Sequence, residues 1–191
     1  MPYYLTYKLM EKIALFYGSD TGCTDDVTKD FTSLWGEEEL DVREIGDVSK
    51  EDFDQFNIFI LGLSTWYDGD LQSDWEAFFD DFRQIDFTDK VVAIYGLGDQ
   101  IGYGEYFIDG VGILAKVVMK NGGEVIGHWP SEEYRFTDSV AMIEEKEGYF
   151  YGLAIDHDNE SQLTDERLEK WIAQIKSELV PYQTRLRHTA N

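Results

Sequence analysis

Short, uninterrupted apolar runs alternate along this chain with segments whose apolar residues recur every three to four positions. Lys12–Tyr17 (KIALFY) is the first run. Gly-Ser-Asp-Thr-Gly follows it, so it predicts a buried strand and a turn. Val27, Phe31, Leu34 and Trp35 then fall on one helix face. Leu40–Ile45 alternates weakly and predicts an outer strand, whereas Asn57–Ser64 (NIFILGLS) and Lys90–Gly96 (KVVAIYG) predict buried ones. Between these two, Ser73 and Glu76 have the spacing of a capping box, and Trp75, Phe78, Phe79 and Phe82 form the helix face behind it. Phe107, Val111, Leu114, Ala115 and Val118 mark another helix, which Asn121-Gly122-Gly123 ends. Glu124–Trp129 begins a fifth strand that Pro130–Gly148 interrupts and Tyr149–Ile155 resumes. Leu168, Trp171, Ile172, Ile175 and Leu179 give a last helix, started by Thr164 and stopped near Pro181.

Strand and helix thus alternate five times. Buried strands joined by crossover helices imply an α/β protein with a doubly wound, five-stranded parallel sheet covered on both faces. Ligands of such folds bind beyond the carboxyl ends of the strands, where the strand order reverses. The loops after the first, third and fourth strands are therefore where chemistry is expected.

Composition narrows this picture. A chain of 191 residues, 43% hydrophobic and 15% aromatic, suits one domain with a real core. We read residues 12–182 as that domain, 1–11 as an N-terminal extension without signal-peptide features, and 183–191 as a C-terminal tail. No apolar run approaches the roughly 20 residues needed to span a bilayer. A single cysteine, Cys23, excludes an intramolecular disulfide framework and fits a reducing cytoplasm. The 39 acidic residues against 16 basic ones give a net charge of −23. That surface repels nucleic acid and suits docking to a basic protein patch, although solubility or salt adaptation explains it equally well.

The first loop, Gly18-Ser-Asp-Thr-Gly-Cys-Thr24, sets Ser19, Thr21 and Thr24 around a predicted helix N-terminus. Free N–H groups, the helix dipole and hydroxyls there attract an anion. The loop has no lysine, so it is not a P-loop, and ordinary turn chemistry uses the same residues. The second loop, Ser64-Thr-Trp-Tyr-Asp-Gly69, carries two rings where a core needs none; a planar ligand would explain them. The third, Gly96-Leu-Gly-Asp-Gln-Ile-Gly-Tyr-Gly104, resembles GxGxxG weakly, offers backbone polar groups and adds Tyr103. Together the loops describe a slot for a flat ring with a phosphate tail.

The segments SDTGCT, STWYDG and GLGDQIGY resemble the phosphate loop and the two isoalloxazine loops of flavodoxins, in order and with the family's spacing. The similarity continues through Gly127–Phe136 and Gly152–Trp171, and the interrupted fifth strand resembles the long-chain subgroup. The resemblance implies strand order 2-1-3-4-5, with FMN at the switch in strand order, for which flavodoxin is a standard example. It implies that Ser19, Thr21 and Thr24, with the backbone of Asp20, Gly22 and Cys23, hold the phosphate. Trp66 and Tyr103 would sandwich the ring. Thr65, Leu97, Gly98 and Asp99 would line the pyrimidine edge through backbone groups, with Ser64 also among the cofactor-binding residues. The turn Tyr67-Asp68-Gly69 would present the Tyr67 carbonyl to the ring's redox-active nitrogen, and Asp158 would lie near the ribityl chain. One departure is Cys23, where the family usually carries Asn; the N–H donor survives and a side-chain hydrogen bond is lost.

The activity so implied is that of a monomeric, cytoplasmic, low-potential electron carrier rather than an enzyme. It would run between an NADPH-dependent flavodoxin/ferredoxin reductase and iron–sulfur or other redox acceptor enzymes. An FMN-dependent NAD(P)H:quinone reductase on the same fold is the enzymatic alternative, and a flavin-free interaction module is the third. Asp156-His-Asp-Asn-Glu160 lacks the glycine and final Glu of a calcium loop and reads as a solvated turn. His128, His157 and His188 have no metal-ligand spacing.

Overall fold

Five apolar segments of the sequence meet as one parallel sheet in a computed structural model that describes residues 12–189. β1 (Ile13–Tyr17) lies between β2 (Leu40–Glu44) and β3 (Ile58–Trp66), and β5 (Val91–Leu97) pairs along β3. The fifth position is shared. β6 (Glu124–Ile126) pairs with Val91–Ala93, and β9 (Leu153–Ile155) pairs with Tyr95–Leu97, both parallel to β5. Counting only the parallel strands in chain order, the sheet order is 2-1-3-4-5, as the family resemblance implied, and its fifth position is split, as the sequence pattern predicted. Short β4 (Asp70–Leu71) folds back antiparallel on the end of β3.

Alternation along β5 separates the two faces. Tyr95 points toward α1 (Cys23–Trp35) and α5 (Thr164–Thr189), where its ring lies 6.0 Å from Phe31 and 6.2 Å from Trp171. Gly96 points the other way, against Val111 of α3 (Asp109–Lys120). On that face Phe59 of β3 stacks on Phe53 at 5.0 Å, beside Phe78 and Phe82 of α2 (Ser73–Phe82). Each fully buried Phe or Trp contributes on the order of 2–3 kcal/mol, so these two aromatic layers hold the helices to the sheet.

Several sequence expectations change in detail. The cap of α2 is Gln72, whose buried side-chain oxygen accepts from Asp74 and Trp75 N–H; Ser73 already stands inside the helix. Leu34 is exposed rather than part of the α1 core face. α3 begins at Asp109, after Phe107. Helix α5 runs through Pro181 to Thr189, so the segment after 182 continues a helix. Packing of Leu179 and Tyr182 against the core carries the helix past the missing proline N–H. Tyr149–Phe150 is not part of the fifth strand: as β8 it pairs antiparallel with β7 (Trp129–Pro130), and β9 starts after Gly152. A Cβ on Gly152 would fall 2.0 Å from the Ile94 carbonyl, so only glycine allows this approach to β5. Segment 156–160 is not a solvated turn but the short helix α4 (His157–Glu160), capped by fully buried Asp156. The proposed extension 1–11 lies outside the described residues.

Candidate functional site

Because β1, β3 and β5 are neighbours in the sheet, the loops that leave their carboxyl ends stand side by side. They enclose, with α4, a cavity of about 320 Å³. Thr21, Cys23, Thr24, Ser64, Thr65, Trp66, Tyr67, Leu97, Gly98, Asp99, Tyr103 and Asp158 line it, together with His157. Ser19, Asp20, Gly22, Asp68 and Gly69 support the loops without lining the cavity.

In the first loop the Ser19 hydroxyl accepts the N–H of Gly22 at 3.1 Å and of Asp25 at 3.3 Å, which rolls the chain into α1. Gly22 makes the turn at φ +94°, a left-handed conformation natural to glycine. Cys23 and Thr24 occupy the first turn of α1, where N–H groups have no acceptor within the helix. Asp20 faces away from the cavity: its carboxylate accepts from the Gln72 amide and from Ser73. Its negative charge therefore anchors the loop to α2 instead of opposing an anion. No lysine or arginine lines the cavity, so an anion here meets neutral donors and the helix dipole.

The second loop is a tight hairpin turn in which Gly69 N–H donates to the Trp66 carbonyl at 3.1 Å. Tyr67 sits at φ +43° and is 64% exposed. The backbone strain of this turn thus falls on Tyr67 rather than on Asp68. Thr65 accepts Gly110 N–H on its hydroxyl at 3.0 Å, which ties this loop to the start of α3. Ser64 Oγ and Trp66 Nε1 are buried without a hydrogen-bond partner in the protein. Both residues line the cavity, and such orphaned polar atoms are costly unless a ligand or water meets them.

The third loop is rigid. Asp99 accepts Ile101 N–H at 2.9 Å, Gly102 N–H at 2.7 Å and the Asn159 amide at 2.8 Å. Burial pushes its pKa up, but the bonds from Gly102, Asn159 and Ile101 outweigh burial and hold it below the ordinary value. Gly98 N–H donates to the Ile155 carbonyl at 3.1 Å, and Gln100 N–H to Asp156 Oδ2 at 3.2 Å, so β9 and α4 seat this loop. Tyr103, 47% exposed, closes one side of the cavity. His157 was not foreseen from sequence; it enters because Asp156 starts a helix that turns it and Asp158 toward the slot. Among the described residues no cluster of His, Cys, Asp or Glu could hold a metal ion.

A doubly wound sheet with an anion cradle at one helix N-terminus, and an aromatic slot beside it at the switch in strand order, defines a binder of a flat, phosphate-bearing cofactor. The flavodoxin family profile matches residues 15–171. Flavodoxin of Haemophilus influenzae is 44% identical over 170 residues, 89% of this chain and 97% of that protein. Flavodoxin 1 of Escherichia coli K12 is 42% identical over 165 residues, 86% of this chain and 93% of its own length, and a Nostoc flavodoxin is 40% identical over 170 residues, 89% and 98% of the two chains. The crystal structure of Fusobacterium nucleatum flavodoxin bound to flavin mononucleotide superposes with a TM-score of 0.82 at 31% identity, covering 88% of this chain and 99% of that one. This chain belongs to the flavodoxin family, whose members are electron carriers rather than enzymes.

Proposed function

We propose that this protein carries electrons on one FMN. The phosphate sits on the first turn of α1, with Thr21 and Thr24 hydroxyls and the N–H groups of Cys23 and Thr24 as donors. The ring lies between Trp66 and Tyr103, and the ribityl chain passes Ser64 and Asp158. The observation that supports this best is the pair of orphaned donors, Ser64 Oγ and Trp66 Nε1, in the wall of a cavity whose anion end holds no cation. FMN supplies the one- and two-electron chemistry; the protein binds, orients and tunes it.

Tuning follows from charge. Asp99 and Asp158 line the cavity and no lysine or arginine offsets them. Negative charge added to the ring is disfavoured there, which lowers the potential for the second electron below that of free FMN. An exposed Tyr67 and Tyr103 at the rim, within a protein of net charge −23, suit brief docking to basic partners. We infer as partners an NADPH-dependent flavodoxin/ferredoxin reductase on the donor side and iron–sulfur or other redox enzymes on the acceptor side.

The test is an absorbance titration of the FMN-free protein. One equivalent of FMN should bind with shifted flavin bands, and a redox titration of the complex should place the second potential below that of free FMN. Protein that binds no flavin would refute the reading, and an unshifted second potential would refute the low-potential role.

A further inference from the structure

The insertion between the two halves of the fifth strand does not hang free. It runs as a strap along the third cofactor loop and the start of α3. Arg135 N–H donates to Gln100 Oε1 at 2.6 Å, Thr137 and Asp138 N–H donate to the Gly104 carbonyl, and Ser139 Oγ donates to the Phe107 carbonyl. The strap ends at Asp109, the first residue of α3, whose Oδ1 accepts Val140 N–H at 2.7 Å. Asp109 is 6% exposed, and its other carboxylate oxygen faces the hairpin turn of the second loop. A Cβ built on Gly69 would lie 2.9 Å from Asp109 Oδ2 and 3.5 Å from the Tyr106 ring. The next residue, Gly110, donates its N–H to Thr65. The carboxylate is thus wedged between a strap it holds by one oxygen and a turn it abuts with the other.

We propose that Asp109 is a positioning residue for electron transfer: it joins the insertion to the Trp66–Gly69 turn and so limits how far that turn can reorient when the ring it faces changes charge. This rests on the FMN reading given above. Two observations make the turn the element to be held. It carries backbone strain at Tyr67, a non-glycine residue at φ +43°, which rotation of the neighbouring peptides would relieve. Gly69, at φ +94°, supplies the hinge. The carboxylate is buried and hydrogen-bonded on the strap side by Val140 N–H and Ser139, while Asp138 and Lys116 act on it through charge. Burial pushes the Asp109 pKa above the ordinary carboxylate value, with Asp138 adding to the rise and Val140 N–H opposing it.

Three substitutions separate position from charge. Asp109→Asn keeps the size and the acceptor for Val140 N–H but removes the charge. Asp109→Glu keeps the charge but pushes the group one methylene into Gly69. Asp109→Ala removes both. With FMN bound, redox titration should show the second one-electron equilibrium within twofold of wild type for Asp109→Asn and moved at least fivefold for Asp109→Glu and Asp109→Ala. In the FMN-free protein, amide exchange of Val140 and Gly69 should be at least tenfold faster in Asp109→Ala and near wild type in Asp109→Asn. If Asp109→Ala does not fold, the Asn and Glu pair decides alone. Equal shifts in the Asn and Ala variants with none in Glu would mean that only charge matters and would overturn the proposal, as would potentials that ignore all three. Failure of wild type itself to bind FMN would instead sink the cofactor reading, leaving the amide-exchange comparison to judge the strap.

Discussion

Trp66 and Tyr103 are held in different ways, and that difference sets what each loses on truncation. Trp66 closes β3 and buries its indole N–H without a protein partner. Tyr103 stands on a turn in which its N–H donates to the Asp99 carbonyl at 3.1 Å, and its ring is half in solvent. Replacing either by Ala is expected to weaken FMN binding by about 1–3 kcal/mol, from ring stacking and buried area. Trp66→Phe should recover most of the stacking yet still bind more weakly than wild type, because the indole donor is gone. Fluorescence titration of FMN-free variants reads all three; affinities equal to wild type would rule out the sandwich. As cavity-wall residues these two were legible because three loops of one sheet edge resemble those of flavodoxins; a ring in any one of the loops alone reads more readily as packing. His157 was not, since nothing in its spacing distinguishes a wall residue from a surface one. Asp20 was legible as a loop member but not in its orientation, which depends on Gln72, 52 positions away.

At the scale of elements, one buried side chain ties the insertion to the second half of the split fifth strand. The Tyr134 hydroxyl accepts Trp129 Nε1–H at 3.0 Å and donates to the Ala154 carbonyl at 2.6 Å, tying the insertion to β7 and β9. Tyr134→Phe leaves both partners unmet in a buried place and should cost about 1–3 kcal/mol of stability, read from the urea midpoint. His128, between β6 and β7, gives a pH dependence. Burial, and then Lys146, lowers its pKa against the opposing pull of Glu178. The unfolded chain takes up this proton near pH 6.5 and the folded chain does so at a lower value. Its contribution to stability is therefore complete above about pH 6.5 and declines as pH falls toward the lowered folded value. His128→Gln should flatten that part of the stability profile between about pH 5 and 7.5; parallel profiles for both proteins would count against it. Strand identities were readable because both faces of this sheet are buried, which makes each strand a continuous apolar run. The cap at Gln72 and the passage of α5 through Pro181 were not. Local rules favour Ser at a cap and a stop at proline, and here a buried amide and the packing of Leu179 and Tyr182 override them.

For the whole molecule, charge is the dominant property. A net charge of −23 on one domain repels itself. Raising NaCl from about 0.05 to about 0.5 M should raise the thermal midpoint of the FMN-free protein in calorimetry, as screening shortens the reach of that repulsion. The same salt should slow electron transfer from a basic reductase in stopped-flow experiments, because steering weakens. A midpoint and a rate that both ignore salt would assign the acidic surface no role in either. The split strand has a consequence in time. The phosphate cradle and the hairpin turn lie in the first half of the chain, but the third loop is seated by the Ile155 carbonyl and the Asp156 carboxylate. As the chain leaves the ribosome, helix α1 and strands β1 to β6 emerge while that seat is still unsynthesised. A nascent chain stopped before Leu153 carries the residues of all three loops but lacks the groups that seat the third one. All three walls of the slot can therefore be fixed only once residues 153–156 have been made and docked, and a chain ending before them is expected to bind FMN more weakly.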